Sequence, residues 1–290
     1  MRENTIIGFI GTGVMGKSMA LNLLKAGYPV HIFTRTRAKA EDLLINGATW
    51  EESPKSLAEK ANVIITMVGY PSDVEEVYFG EEGIFAGAKP GTYVIDATTS
   101  SPKLAKKIAE RAKELKMHAL DAPVSGGDVG AREARLSIMV GGEEEAFNEM
   151  LPIFKTLGTN IVLQGEAGAG QHTKMCNQIA IASGMIGVCE ALLYAEKAGL
   201  DPNTVLKSIE TGAAGSWSLS NYVPRIINGD FSPGFYVKHF IKDMKIALES
   251  AEEMGLQVPG LSLAKQLYEE LAQMGEENSG TQALYKRLKQ

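Results

Sequence analysis

The chain has 290 residues, of which 44% are hydrophobic and 22% charged, with a formal net charge of -6. This is the balance of a globular protein with room for one or two domains and a sizeable core, so extended disorder is excluded. The acidic total argues against a phosphate-backbone binder, which would carry a basic stripe, and no nucleic-acid partner is expected.

The first half alternates apolar runs of strand length with helical patterns. Residues 5–10 form the first strand, followed by glycines and a helix over 15–26. Residues 29–33 are a second strand, and 37–46 a helix stopped by Gly47. A third strand covers 63–67, after which Ser72 caps a helix with Glu75 three residues on, the spacing of a capping box. Residues 93–96 are a fourth strand, and Ser101-Pro102 opens the next helix, where proline fits the first position. Residues 117–121 are a fifth strand, with 136–140 and 161–163 as shorter candidates for the far edge. Unbroken apolar strands between helices predict a parallel sheet covered on both faces, the doubly wound α/β (Rossmann) architecture. Strand signals then stop. A helix is predicted over 169–197, ended by Gly199; Asp201-Pro202 caps another, and further helices cover 237–254, 261–274 and 282–289. The reading is a dinucleotide-binding domain over 1–164 and an all-helical substrate and oligomerisation domain over 165–290.

Cys176 and Cys189 fall on one helix, ~20 Å apart at ~1.5 Å per residue, too far to bridge; both are expected to be buried thiols. Residues 1–4 lead straight into a strand without a signal-peptide core, so a cytoplasmic location is expected. The apolar stretch 179–195 is interrupted by Ser183 and Glu190. It reads as a buried helix rather than a membrane span, which needs ~20 predominantly apolar residues.

Gly11-Thr12-Gly13-Val14-Met15-Gly16 is a G-x-G-x-x-G fingerprint between a strand and a helix. The first glycine permits the turn, the second lets backbone approach a pyrophosphate, and the third allows close helix–strand packing. The free N–H groups and positive dipole end of the helix favour phosphate. At the end of the second strand, an acid would mark a cofactor with a free ribose hydroxyl. Thr34, Arg35, Thr36, Arg37 and Lys39 stand there instead, with no carboxylate, so NADP is expected in preference to NAD.

Three further stretches carry candidate chemistry. Asp121-Ala-Pro-Val-Ser-Gly-Gly127 follows the fifth strand, where ligands bind in such sheets, and the N–H groups of Ser125, Gly126 and Gly127 offer an anion-binding nest. On the long helix, Lys174 and Asn177 share a face. Lys238 and Lys242, four apart on a later helix, suggest one cationic stripe. Trp217, in a small-residue break at 212–218, is a candidate to close the pocket. The four histidines and two cysteines show no metal-ligand spacing, so no metal is expected.

Taken together, F-I-G-T-G-V-M-G, T-R-T-R-A-K, D-A-T-T-S, D-A-P-V-S-G-G, G-x-G-Q-x-x-K-x-x-N and K-H-F-I-K-D resemble the β-hydroxyacid dehydrogenase family along nearly the whole chain. That family includes 3-hydroxyisobutyrate dehydrogenases, tartronate semialdehyde reductases and glyoxylate/succinic semialdehyde reductases. The resemblance implies Lys174 as the catalytic residue and Ser125, Gly126, Gly127 and Asn177 as substrate contacts. It places Phe235 and Asp243 around the pocket, Thr99 near the nicotinamide, and Lys242 where cofactor meets substrate. Met67 and Val68, closing the third strand, join the expected cofactor contacts. Thr34 to Thr36 with Lys39 resembles the N-R-T-x-x-K element of NADP-preferring relatives, with threonine in place of asparagine. The implied activity is hydride exchange between NADP(H) and a small carboxylate-bearing hydroxyacid or semialdehyde, in the cleft between two domains of a homodimer or homotetramer. Lys174 serves as general acid/base; free lysine titrates near ~10.4, so work near neutrality calls for burial or a neighbouring cation. A 6-phosphogluconate dehydrogenase would be longer and would carry histidine at position 177. An imine reductase or a nucleotide sensor without turnover would not need Lys174, Asn177 and the carboxylate loop together.

Overall fold

The structure is a computed structural model and describes residues 5–290; the leaderless start read from residues 1–4 lies outside the described residues. The chain divides into two compact units, Met1–Lys174 and Met175–Gln290.

The first unit is built on β1 (Ile7–Ile10), β2 (Val30–Phe33), β3 (Thr49–Trp50), β4 (Val63–Thr66), β5 (Tyr93–Asp96), β6 (His118–Asp121), β7 (Val124–Ser125), β8 (Leu136–Gly142) and β9 (Gly158–Gly165). They form one sheet in the order β3-β2-β1-β4-β5-β6-β8-β7, with β9 also paired to β8. From β3 to β6 every pairing is parallel, and the strand order reverses between β1 and β4. The helices are α1 (Val14–Lys25), α2 (Glu41–Ile45), α3 (Pro54–Ala58), α4 (Pro71–Phe79), α5 (Ile84–Gly87), α6 (Pro102–Glu114), α7 (Gly127–Arg132) and α8 (Glu144–Phe154).

The strands read as continuous apolar runs because both faces are covered. Ile7, Phe9, Val63, Ile65 and Ile95 pack on one side with Met19 and Leu23 of α1 and Ile153 and Phe154 of α8. Their alternates Ile10, Ile64 and Val94 pack on the other with Leu57 of α3, Val74 and Tyr78 of α4, and Leu104 and Ile108 of α6. The doubly wound architecture is as expected, but the sheet is mixed, not wholly parallel. After β6 the chain turns back through β7 and the short α7 without a full crossover helix, so β8 runs antiparallel to β6 and β7. The longer α8 then returns the chain, and β9 pairs parallel to β8.

Several local expectations need correction. The helix expected over 37–46 is a 3-10 turn, Arg37–Ala40, followed by α2. α4 is capped from Tyr70, not Ser72. Pro71 supplies the fixed φ of the first helical position, and the Asp73 carboxylate accepts the Tyr70 N–H at 3.1 Å. β3 and β7, two residues each, are too short to leave a periodicity.

The second unit is all-helical. α9 (Ala169–Lys197) gives its first turns to the sheet unit and the rest to this one; α10 (Pro202–Ile209), α11 (Trp217–Ile227), α12 (Val237–Glu253), α13 (Pro259–Leu271) and α14 (Leu284–Leu288) follow. Asp201 caps α10 by accepting from the Thr204 N–H. Ser216 does the same for α11 through Leu219, a helix hidden in the sequence by the glycines before it. Met185, Cys189 and Leu192 of α9 pack with Phe240, Met244 and Ala247 of α12 and Tyr268 and Leu271 of α13. α13 stops at Leu271 and runs into a π turn containing Gly275 at φ 86.

The buried stripe of α9 recurs at three- and four-residue spacing: Gln171, Lys174, Gln178, Ala182, Met185, Cys189, Leu192. It is polar over its first turns and apolar afterwards. Cys176 is exposed while Cys189 is buried, correcting the expectation for the former; thirteen residues carry the two to different sides of the helix. By length and composition alone α9 would also pass as a membrane span, and 39% of its most apolar window is buried within the chain.

Candidate active site

The turn after β1 is shaped by close backbone approach. Gly11 has φ 96, and a Cβ there would strike the Met67 carbonyl; a Cβ on Gly16 would strike the Gly11 carbonyl. Met67 and Val68 thereby wall the turn from the end of β4. Gly13 differs: a Cβ added to it would meet nothing within 4 Å. It is the N-cap of α1 and provides no side-chain cap, and the first turn, Val14 to Gly16, holds no acid. The Thr12 hydroxyl is buried with no hydrogen-bond partner, while Val14 is exposed. Uncapped N–H groups, an open glycine and an orphaned hydroxyl fit a dinucleotide phosphate at this turn.

Beyond β2, Thr34 is half-buried and Arg35, Thr36, Arg37 and Lys39 are exposed. The local sequence offers no carboxylate, but the fold brings one from α4. Arg35, 82% exposed, donates to the Asp73 Oδ1 at 3.1 Å. Arg37 turns instead onto the Trp50 ring, 5.3 Å from its centroid. The basic cluster is thus divided, with Arg35 held by an acid that also caps a helix.

A buried polar chain runs along the carboxyl ends of β4, β5 and β6. The Thr66 hydroxyl donates to Asp96 Oδ1 at 2.8 Å, which also accepts the Thr98 N–H at 3.1 Å. The Thr98 hydroxyl accepts from the Val68 N–H at 3.0 Å. Burial pushes the Asp96 carboxyl up to about 6, against the lowering pull of the bonds from Thr66 and Thr98. Asp121, its register partner on β6, accepts the N–H groups of Gly168 at 2.7 Å and Gln171 at 2.8 Å. Burial raises Asp121 also, and these backbone bonds oppose it. Asp121 therefore caps the start of α9 from the sheet edge, which is why the unit boundary falls inside the helix and not before it.

Gln171 continues the chain. Its Oε1 accepts the Ser100 N–H at 2.9 Å and its Nε2 donates to the Thr98 carbonyl at 2.7 Å. Thr99, between these two bonds, is half-buried while both neighbours are buried. Lys174 lies one turn further along α9 and is 6% exposed. In the β6–α7 stretch, Ser125 proves to be a strand residue paired with Ser137, and not part of an open loop. Gly126 and Gly127 follow with φ 129 and 64, and Gly127 opens α7.

In the helical unit, Asn177 donates to Gln178 Oε1 at 2.7 Å, and Gln178 Nε2 donates to Asp243 Oδ2 at 2.6 Å. Lys242 pairs with the other oxygen of Asp243 at 3.0 Å. Lys238 instead donates to Asn278 at 2.7 Å, so the two lysines have different polar partners. Phe235 packs on Phe240, ring centroids 5.4 Å apart. Trp217 is exposed and meets Tyr222 edge-on. Among the described residues no group of three His, Cys, Asp or Glu forms a metal cluster.

Sequence reasoning missed Asp96, Gln171, Gln178 and Asp73. Asp96 closes an apolar strand run and Gln178 opens the apolar part of α9, a signal that was available, while Gln171 stood inside the G-x-G-Q-x-x-K-x-x-N motif without an assigned role. Asp73 had no such signal, since its partner is 38 residues away.

Comparison with known proteins identifies the family. Residues 6–165 match the NAD-binding domain of 6-phosphogluconate dehydrogenase, and residues 168–288 match the NAD-binding domain of NADP-dependent 3-hydroxyisobutyrate dehydrogenase. An uncharacterized oxidoreductase of Bacillus subtilis is 68% identical over 280 residues, covering 97% of each chain. A 2-hydroxy-3-oxopropionate reductase of Escherichia coli is 40% identical, covering 97% of this chain and 96% of that one. A structure of Mycobacterium tuberculosis 3-hydroxyisobutyrate dehydrogenase with L-serine superposes with a TM-score of 0.90 at 31% identity, covering 99% of both chains. The chain therefore belongs to the 3-hydroxyisobutyrate dehydrogenase-like, or β-hydroxyacid dehydrogenase, family: oxidoreductases acting on hydroxyacids with a nicotinamide dinucleotide.

Proposed function

We propose that the protein is an NADP(H)-dependent reductase and dehydrogenase interconverting a small carboxylate-bearing semialdehyde and its hydroxyacid, with Lys174 as general acid and base. The observation that carries this reading is the placement of Lys174: buried, one turn past a glutamine that grips the backbone on both sides of Thr99. A nicotinamide dinucleotide, when bound, supplies or accepts the hydride.

The chain's own groups do the rest. In reduction, the Lys174 ammonium gives an Nζ proton to the carbonyl oxygen as the carbonyl carbon becomes C–H; in oxidation the neutral amine takes the hydroxyl proton back. Ser125, Gly126 and Gly127 bind the substrate carboxylate. Asn177 shares the Lys174 face of α9 and is tied through Gln178 to Asp243 and Lys242, which together orient the substrate side. Phe235 contributes apolar lining. Gly11 to Gly16, with Met67, Val68 and Thr99, hold the dinucleotide. Support for the reductase direction comes from the Escherichia coli relative, whose name describes that reaction.

Lys174→Ala tests the reading directly. NADPH consumption with glyoxylate and with succinic, tartronate and methylmalonate semialdehydes should fall by roughly two to four orders of magnitude, with NADPH binding near normal. Loss of less than about tenfold removes Lys174 from the chemistry.

Arg35, with Thr34, Thr36 and Lys39, is the proposed seat of the 2′-phosphate. Asp73 favours the second reading, use of NAD as well, since it offsets part of the Arg35 charge. Arg35→Asp should move the preference toward NAD; unchanged selectivity rejects the assignment. We also propose a homodimer or homotetramer, since much of the apolar α9 remains uncovered within one chain. A monomeric mass by light scattering at micromolar concentration overturns this.

A further inference from the structure

Gln171 is fully buried, carries no charge and belongs to no expected binding set, yet both ends of its amide are hydrogen-bonded. A buried primary amide must place one acceptor and two donors, and leaving them unmet is costly. Here both ends serve the backbone of one loop: Oε1 takes the Ser100 N–H at 2.9 Å and Nε2 gives to the Thr98 carbonyl at 2.7 Å. Those are the peptide groups on either side of Thr99. The residue's own N–H goes to Asp121 at 2.8 Å. Gln171 is therefore fixed at its main chain by the end of β6 and at its side chain by the end of β5. Lys174, three residues on, shares its helix face. Thr98 is held from the other side by Asp96 and Val68.

We propose that Gln171 is the positioning residue that sets the distance between the Thr99 loop and the Lys174 amine, so that its amide governs kcat without touching substrate. The proposal rests on the assignment of Lys174 as proton donor and deepens it. A loop that merely needed a filled core would accept an apolar side chain of the same length. A loop whose backbone must stay in register with an amine would not, because displacement of reacting groups by about 1 Å can cost on the order of a hundredfold in rate.

Two variants separate these cases, with turnover expressed per folded molecule from NADPH-binding stoichiometry. Gln171→Met keeps the length and loses both bonds; kcat should fall by roughly tenfold to a hundredfold, with the KM for the semialdehyde and the Kd for NADPH changed by less than about threefold. Gln171→Glu keeps the acceptor for Ser100 but turns a carboxylate oxygen toward the Thr98 carbonyl. Protonation restores a donor there, so its kcat relative to wild type should rise as pH falls from about 8 to about 5.5. The charged groups facing this position are Asp121, which accepts its N–H, Asp96 behind Thr98, and Lys174 one turn on.

A Gln171→Met kcat within about twofold of wild type, or a Gln171→Glu ratio flat with pH, overturns the proposal while leaving the Lys174 reading intact. If Gln171→Met does not fold, the Gln171→Glu ratio decides alone. A wild-type protein that turns over none of the semialdehydes overturns the Lys174 reading and this proposal with it.

Discussion

Gln171 and Gln178 are both fully buried on the same stripe of α9, yet they are satisfied in opposite ways. The Gln171 side chain bonds to backbone, the Thr98 carbonyl and the Ser100 N–H. Gln178 bonds only to side chains, the Asp243 carboxylate and the Asn177 amide. Backbone partners stay in place whatever residue carries them, so the first region is a tie between two main-chain segments. Side-chain partners depend on each other, so the second is a relay in which Asn177, Gln178, Asp243 and Lys242 stand or fall together. A change in the tie should act locally, and a change in the relay should spread.

The harshest break is Gln178→Glu. It replaces the donor to Asp243 by a second buried carboxylate, and should cost ~3–5 kcal/mol in urea unfolding at pH 8. Part of that should return on acidification, as the two carboxyls come to share a proton. A loss below about 1 kcal/mol would show that the relay re-forms around the change. Asp121→Asn probes the tie. The amide keeps one acceptor for the N–H groups of Gly168 and Gln171 and turns its NH2 toward the other donor. The expected loss is ~1–3 kcal/mol by the same measurement, and no loss would mean that α9 needs no cap from the sheet.

Asp96→Asn, behind the tie, should have the smallest effect and a pH signature. The folded carboxyl titrates at about 6 against an ordinary 3.8. Its contribution to stability is therefore most favourable at low pH and declines as pH rises from about 4 to about 6, where the unfolded chain has ionised first. The asparagine variant lacks this decline, so its Tm relative to wild type should increase between pH 4 and pH 7. A constant Tm difference would mean that Asp96 ionises equally easily in both states.

Much of this was legible from residue pattern alone. Continuous apolar strands fixed the covered sheet, and the glycine fingerprint fell between β1 and α1 as its spacing required. The bounds of α9 were readable because its apolar repeat is long and Gly199, at φ 73, ends it. What stayed hidden was long-range or short. β8 runs antiparallel because of how the chain turns after β6, which no local periodicity records. α4 takes its cap from Tyr70 because Pro71 shifts the start by one residue. Gln171 was visible inside a motif, but its partners at Thr98 and Ser100 lie over 70 positions away. The Asp73 acid beside Arg35 was concealed for the same reason.

Gln171 and Gln178 stand seven positions apart, about two helical turns or ~10.5 Å, and return to nearly the same azimuth. That stretch behaves as a gauge. One extra residue within it would swing one amide by ~100° away from its partner, whatever the residue's chemistry. Insertions and deletions between 171 and 178 should therefore be far more damaging than substitutions there, whereas the turn at Gly199, beyond the last buried position, has no such length to keep.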